Sequence, residues 1–153
     1  MKFLLQTSFL IFLCASLCSK TSAQVADPTT WSYSTKKKSA GLYEVVVHLS
    51  LKQGWHIWSM TPGGDGTLIP PSFTFDKNDN VKLKGKVKQV GKAVTTPMDG
   101  IEGKVTYYSD KVDYILDVEA SAGKIHLSHE YQVCNASMCL PPKTKEAILD
   151  LKK

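Results

Sequence analysis

Alternation with a period of two runs through most of this chain and restricts it to strands. In LYEVVVHLSL, Tyr43, Val45, Val47, Leu49 and Leu51 share one face, while Glu44, His48 and Ser50 share the other. In KVDYILDVEA the inward set is Val112, Tyr114, Leu116 and Val118, opposite Lys111, Asp113, Asp117 and Glu119. The segment KIHLSHEYQV repeats the pattern with Ile125, Leu127, His129, Tyr131 and Val133 inward. A strand that is dry on one side and wet on the other needs a second apolar layer to cover it. Shorter strand candidates are GWHIWS, SFTFD, VKLKGKVKQV and KEAILDL, and turn signals fall at 39–41, 62–66, 77–80, 97–100 and 121–123. No window of twelve or more residues has helical spacing. Seven or eight such strands predict an all-β chain folded as a two-sheet antiparallel sandwich.

Two segments look too long for hairpin turns: 60–71, MTPGGDGTLIPP, after the aromatic run Trp55-His56-Ile57-Trp58, and 91–103, GKAVTTPMDGIEG, which has no clear period. Extended loops on a rigid sandwich are where function concentrates. Residues 24–30 read as a loose leader, and 36–38 as a solvated run of lysines.

Residues 1–23 carry Lys2, an apolar stretch and the small residues Thr21, Ser22 and Ala23, which is the pattern of a secretory signal cut before Gln24. The apolar run is too short and too broken for a spanning helix of roughly 20 residues. The expectation is an exported, periplasmic protein, with secretion as the second choice. Loss of 23 of the 153 residues leaves 130, enough to bury one core as a single domain, 24–153. Cys14, Cys18, Lys2 and Lys20 leave with the signal, taking the cysteines from 4 to 2 and the formal charge from +5 to +3. All 19 cationic side chains are lysine, which argues against bidentate readout of phosphates or bases, so no nucleic-acid partner is expected.

The two remaining cysteines lie in YQVCNASMCLPPKT. In an oxidising compartment Cys134 and Cys139 are expected to pair. The bond would close a six-residue loop, contributing roughly 2 kcal/mol in the chain-entropy model against about 4.7 for a 100-residue loop. A chain able to bury its own core does not need that contribution. Pro141 and Pro142 lack amide hydrogens and fix the backbone just downstream, at a sheet edge. Spacing alone leaves three readings open: a redox-active bond, a structural bond, or a metal clamp. For the last, Cys134, Met138 and Cys139 offer soft donors suited to Cu(I), with His56 able to complete a shell. Asn135-Ala136-Ser137 matches a glycosylation sequon, but a sugar there would block any partner. His129, inward on its strand, reads as a packed core residue. There is no Gly-rich phosphate loop, HExxH or GxSxG.

The order YQxC, a short insert, then CxPPxT near the end of an exported β-domain resembles the N-terminal periplasmic domain of the DsbD thiol:disulfide reductase family. Here it comprises Tyr131, Gln132, Cys134, Cys139, Pro141, Pro142 and Thr144. GWHIW with its Gly- and Pro-rich sequel, and EGKVTYYSDKVDYIL, look like the corresponding parts of that domain. The resemblance implies an immunoglobulin-like sandwich, without a cofactor, whose cysteine pair takes reducing equivalents from a membrane-embedded thiol reductase. The pair then passes them to periplasmic disulfide isomerases or thioredoxin-like proteins of cytochrome c maturation. It further implies that Cys139 forms the mixed disulfide and Cys134 resolves it. Asp99, Gly100 and Ile101 would form a cap over the pair, with His56 and Trp58 on the neighbouring strand.

Three departures stand out. Four residues separate these cysteines where well-known members have five, and Ile101 falls where their cap carries an aromatic ring. The sequence ends at Lys153 without the membrane and thioredoxin domains, which implies that the donor is a separate protein.

Overall fold

A computed structural model describes residues 27–121 and 123–151; the signal segment expected at 1–23 lies outside the described residues. Ten strands follow one another: β1 (Thr29–Ser39), β2 (Leu42–Leu51), β3 (His56–Gly63), β4 (Ser72–Phe75), β5 (Lys82–Leu83), β6 (Lys88–Met98), β7 (Ile101–Glu119), β8 (Lys124–Tyr131), β9 (Val133–Cys134) and β10 (Lys143–Asp150). Every pairing between them is antiparallel. They form a seven-stranded sheet ordered β1-β2-β7-β3-β9, with β5 and β6 also on β7, and a three-stranded sheet ordered β10-β8-β4.

The main core lies between the sheets. Val45, Val47 and Leu49 of β2 and Val112, Tyr114, Leu116 and Val118 of β7 pack with Ile125, Leu127 and Tyr131 of β8. These are the inward positions that the alternation predicts, and each is at most 1% exposed. His129 is buried in the same layer, as expected of a packed core residue. Its Nε2 lies 2.8 Å from the Tyr33 hydroxyl, and its ring contacts Trp31 at 4.3 Å between centroids.

Four sequence expectations change. Residues 29 and 30, expected to end a loose leader, instead begin strand β1, which pairs with β2 and packs Trp31 and Tyr33 on the core. Lys36, Lys37 and Lys38 are exposed, as a solvated run should be, but sit on that strand. The segment at 91–103 is no long loop: β6 and β7 run to either side of a two-residue turn, Asp99-Gly100. Its period is hidden because β6 carries irregularities at Gly91/Ala93 and Pro97/Met98, and a bulge flips the face on which later residues fall. Likewise VKLKGKVKQV divides into β5 and the start of β6, and the loop expected at 60–71 begins only after β3 ends at Gly63.

The length of β7 positions the site. Its C-terminal part, Lys111–Glu119, pairs with β2, while β3 takes the same edge of its N-terminal part from Ser109 to Val105. Strand β6 lines the opposite edge through both parts. The N-terminal part therefore extends beyond the core as a hairpin with β6, beside β3 and β9.

Candidate functional site

The cysteines sit at the edge of the long sheet. Strand β9 pairs with β3, placing Cys134 opposite His56 and Val133 opposite Ile57. The chain then turns on itself: Asn135 N–H donates to Met138 O at 2.8 Å and Leu140 N–H to Val133 O at 2.9 Å. Asn135 Oδ1 accepts from the amides of Ser137 (2.8 Å) and Met138 (2.9 Å), an Asx turn that accounts for the Asn after Cys134. Cys139 is thus set across from Cys134, with their Cα atoms 3.9 Å apart, and the two are disulfide-bonded.

The two sulfurs lie in different surroundings. Cys134 is 2% exposed, whereas Cys139 is exposed. Gln132 Nε2 donates to Leu140 O at 3.1 Å, clamping the strands that carry the pair. Tyr131 is buried, and its hydroxyl donates to Asp27 Oδ2 at 2.8 Å, tying β8 to the start of the described chain. Burial and this acidic neighbour push the phenol up to about 12 although Thr29 opposes them. Pro141 and Pro142 are exposed just beyond the turn.

Cys134 belongs to a second apolar cluster, on the face of the long sheet away from the main core. Trp58, Val105 and Cys134 are buried there, with Leu68, Met98, Ile101 and Tyr107 packed around them. Alternation explains the membership: on β3, Ile57 points into the main core, so His56 and Trp58 point outward. The His56 ring contacts Trp58 at 4.8 Å and Tyr107 at 4.6 Å. Burial lowers its pKa below the ordinary imidazole value, so at neutral pH it is an uncharged aromatic cover. Neither His56 Nε2 nor Trp58 Nε1 has a hydrogen-bond partner in the protein, although both atoms are buried.

Met98 and Ile101 reach the cluster from the two sides of the Asp99-Gly100 turn. The residues sequence reading grouped as a cap, Asp99, Gly100 and Ile101, therefore stand at a hairpin tip next to Cys134, and His56 and Trp58 share that neighbourhood. An open groove of about 530 Å³ is bordered by both the tip and the cysteine turn, lined by Trp55, His56, Met98, Asp99, Tyr107 and Asn135 among others. A groove of about 450 Å³ on the three-stranded sheet, lined by Thr74, His126, Glu146 and Ile148 among others, holds no cysteine.

Leu68, Val105 and Tyr107 are cluster members that sequence reading did not single out. The alternation of β7 through Val105 and Tyr107 hinted at those two, and nothing local marked Leu68, in the loop after β3. Also missed was a row on the outer face of the long sheet, where Ser34 Oγ lies 3.0 Å from His48 Nε2 and His48 Nδ1 lies 2.8 Å from Asp113 Oδ1. The order is that of a hydrolase triad, but His48 and Asp113 are 39% and 43% exposed on an open strand face. Water competes for each contact, and the row is assigned to cross-strand pairing. Among the described residues no group of three or more His, Cys, Asp or Glu side chains is placed to hold a metal ion. While the disulfide is formed, neither sulfur is a thiolate donor for one.

Residues 14–151 match the family described as thiol:disulfide interchange protein DsbD, N-terminal. The chain belongs to that family. No curated protein matches its sequence. Among solved structures, the N-terminal periplasmic domain of ScsB from Proteus mirabilis is similar with a TM-score of 0.66 and 16% identity, over 83% of this chain and 48% of that one. The DsbD N-terminal domain of Neisseria meningitidis in its reduced form is similar with a TM-score of 0.52 and 17% identity, over 69% of this chain and 75% of that one. The chain spans about half the length of the ScsB structure. At these identities the likeness establishes the fold, the immunoglobulin-like β-sandwich of the DsbD N-terminal domain.

Proposed function

We propose that residues 24–153 form an exported periplasmic domain that passes reducing equivalents through Cys134 and Cys139. The observation that carries this reading is the unequal burial of the pair: an exposed Cys139 bonded to a Cys134 that is 2% exposed beneath an apolar hairpin tip. An attacking thiolate reaches the outer sulfur, and the inner one is held in place to resolve the product. Family membership supports the same reading, as does the small stabilisation that so short a loop can supply.

The steps balance as two exchanges. A thiolate of the donor dithiol, on a membrane-embedded reductase, attacks Cys139 Sγ and expels Cys134 as thiolate. The donor's second thiol then attacks its own sulfur in the mixed disulfide, which frees Cys139 and leaves the donor oxidised. In the second exchange the Cys139 thiolate attacks the disulfide of a thioredoxin-like or disulfide-isomerase client. Cys134 then displaces the client from Cys139, so the client gains two electrons and two protons and the Cys134–Cys139 bond re-forms. Asp99, Gly100 and Ile101 act as the cap, and His56 and Trp58 as its apolar floor. Together they cover Cys134, so that attack on the exposed Cys139 must expel a thiolate into an apolar site and is slow until a partner displaces the tip.

Equilibration in thiol buffers tests the reading directly. A shuttle is expected to titrate within the range of exchange-active pairs, and a potential below about −300 mV marks a structural bond and overturns it. In Cys134→Ala, Cys139 is expected to trap a mixed disulfide with a thioredoxin-like client; no trapped species with any such client counts against exchange.

A further inference from the structure

We infer that Gly64 is the seat on which the cap closes, a positioning residue that acts on the cysteine pair through Ile101. The inference rests on the reading of the β6–β7 tip as a cap. Strand β3 ends at Gly63, and both Gly63 (φ +77°) and Gly64 (φ +73°) adopt a left-handed backbone that folds the following loop against β7. The Gly64 amide donates to Lys104 O at 3.1 Å. A β-carbon at Gly64 would stand 2.8 Å from Ile101 Cγ2, 3.3 Å from Val105 Cγ1 and 3.6 Å from Leu68 Cδ1. All three belong to the cluster that buries Cys134 and Trp58, so the space of the missing side chain is occupied by the cap itself.

That contact cannot be relieved cheaply. The Cγ2 methyl is fixed to the branched Cβ of Ile101 and moves only with χ1 or with the backbone of the tip. Val105, 0% exposed, already occupies space beside it. A methyl group at Gly64 therefore pushes Ile101, and with it the hairpin tip, off the cluster.

Two neighbouring glycines separate this effect from others. At Gly63 a β-carbon would strike the Lys104 carbonyl oxygen at 2.6 Å, so that residue holds the end of β3 to β7. Gly66 shares the left-handed conformation (φ +87°) but has nothing within 4 Å of the same position. Substitution there imposes backbone strain without touching the cap.

The test is the rate at which dithiothreitol opens the Cys134–Cys139 bond of the oxidised full chain, followed by thiol alkylation and mass. Gly64→Ala is expected to open roughly tenfold faster than wild type, the scale of a modest overpacking cost expressed as a population shift. Gly66→Ala is expected to open at the wild-type rate. Ile101→Leu moves the branch from Cβ to Cγ and deletes Cγ2, so Gly64→Ala combined with Ile101→Leu is expected to return to the rate of Ile101→Leu alone. The reduction potential is expected to stay at the wild-type value throughout, because the cap governs how readily the covered Cys134 leaves rather than the energy difference between the oxidised and reduced pair. A wild-type rate in Gly64→Ala overturns the inference. So does equal acceleration in Gly66→Ala, a double variant as fast as Gly64→Ala, or a potential that shifts in step with the rate. Should Gly64→Ala fail to fold, Ile101→Ala approaches the contact from the other side; faster opening supports the seat and an unchanged rate overturns it. If wild type is inert towards a protein dithiol while the rate pattern holds, the shuttle reading alone fails. If wild type exchanges but the rates are flat, the seat alone fails.

Discussion

The main core and the cluster beneath the β6–β7 tip are both built from apolar and aromatic side chains, yet one is sealed and the other only half closed. Between the sheets, Val45, Val47, Tyr114, Leu116, Val118, Ile125 and Leu127 are all 0% exposed, with partly buried side chains such as Trp31 and Phe73 packed against that centre. Under the tip, Trp58, Val105 and Cys134 are buried, but Leu68, Met98, Ile101 and Tyr107 are covered only in part. The sealed region gains free energy from every strand that contributes to it, at about 25 cal/mol per Å² of apolar surface buried. The half-closed region, with three buried members, gains far less. Low local stability is the usual property of an element that must open for a partner.

Truncation on each side gives the largest expected contrast. Leu116→Ala, in the sealed core, is expected to lower unfolding free energy by about 2–5 kcal/mol in urea titrations. Leu68→Ala, under the tip, is expected to cost about 1 kcal/mol or less, while speeding reduction of Cys134–Cys139 by a small thiol. Equal losses of stability, or a reduction rate that ignores Leu68, would break the distinction between the regions.

Acid probes the sealed core through His129. Burial, with Lys145 adding to it, lowers the pKa of this imidazole from 6.5 to about 4. Below pH 6.5 the unfolded chain takes up a proton that the folded chain refuses, so stability is complete above that pH and falls as the pH drops towards 4. The expected loss is on the order of 1–3 kcal/mol between pH 7 and 4.5 in urea midpoints, and the slope should flatten in His129→Gln. A slope unchanged by that substitution would show that His129 is not the group that titrates.

The smallest effect is expected outside both regions. Lys84 and Glu119 form an ion pair at 3.3 Å, each side chain 56% exposed. Lys84→Ala is expected to change stability by less than about 0.5 kcal/mol and leave the reduction rate as in wild type. A larger change would mean that surface charge, rather than closure, sets one of the two regions.

Much of the fold is legible in the chain because strand alternation is a local property. The faces of β2, of β8 and of the C-terminal part of β7 follow from period two alone, and every residue of those sets is buried or packed against the core. The signal for β1 was equally present: Thr29, Trp31 and Tyr33 alternate with Thr30, Ser32 and Ser34 before the lysine run begins. Only the start of strand β6, at the end of the candidate VKLKGKVKQV, was legible, because the irregularity at Gly91 interrupts the period beyond it. The reason for that glycine is also non-local: a β-carbon there would lie 2.8 Å from Lys111 O and 3.1 Å from Tyr108 Cδ1, on the facing strand.

By itself the sequence determined a β-sandwich, its inward residues, and a closely spaced cysteine pair whose short loop supplies little stabilisation. It could not determine which cysteine would be buried, since both lie in one short turn. The tertiary structure decided that by register: β9 pairs with β3 so that Cys134 lies opposite His56, while the return of the chain leaves Cys139 outside. It also decided that the outward faces of β3 and of the N-terminal part of β7 meet a hairpin tip, and that Ile101 fills the space where a Gly64 side chain would stand. Period and spacing are fixed by covalent geometry along one strand. Which strands become neighbours, and what covers them, depends on turns, bulges and packing among segments distant in the chain.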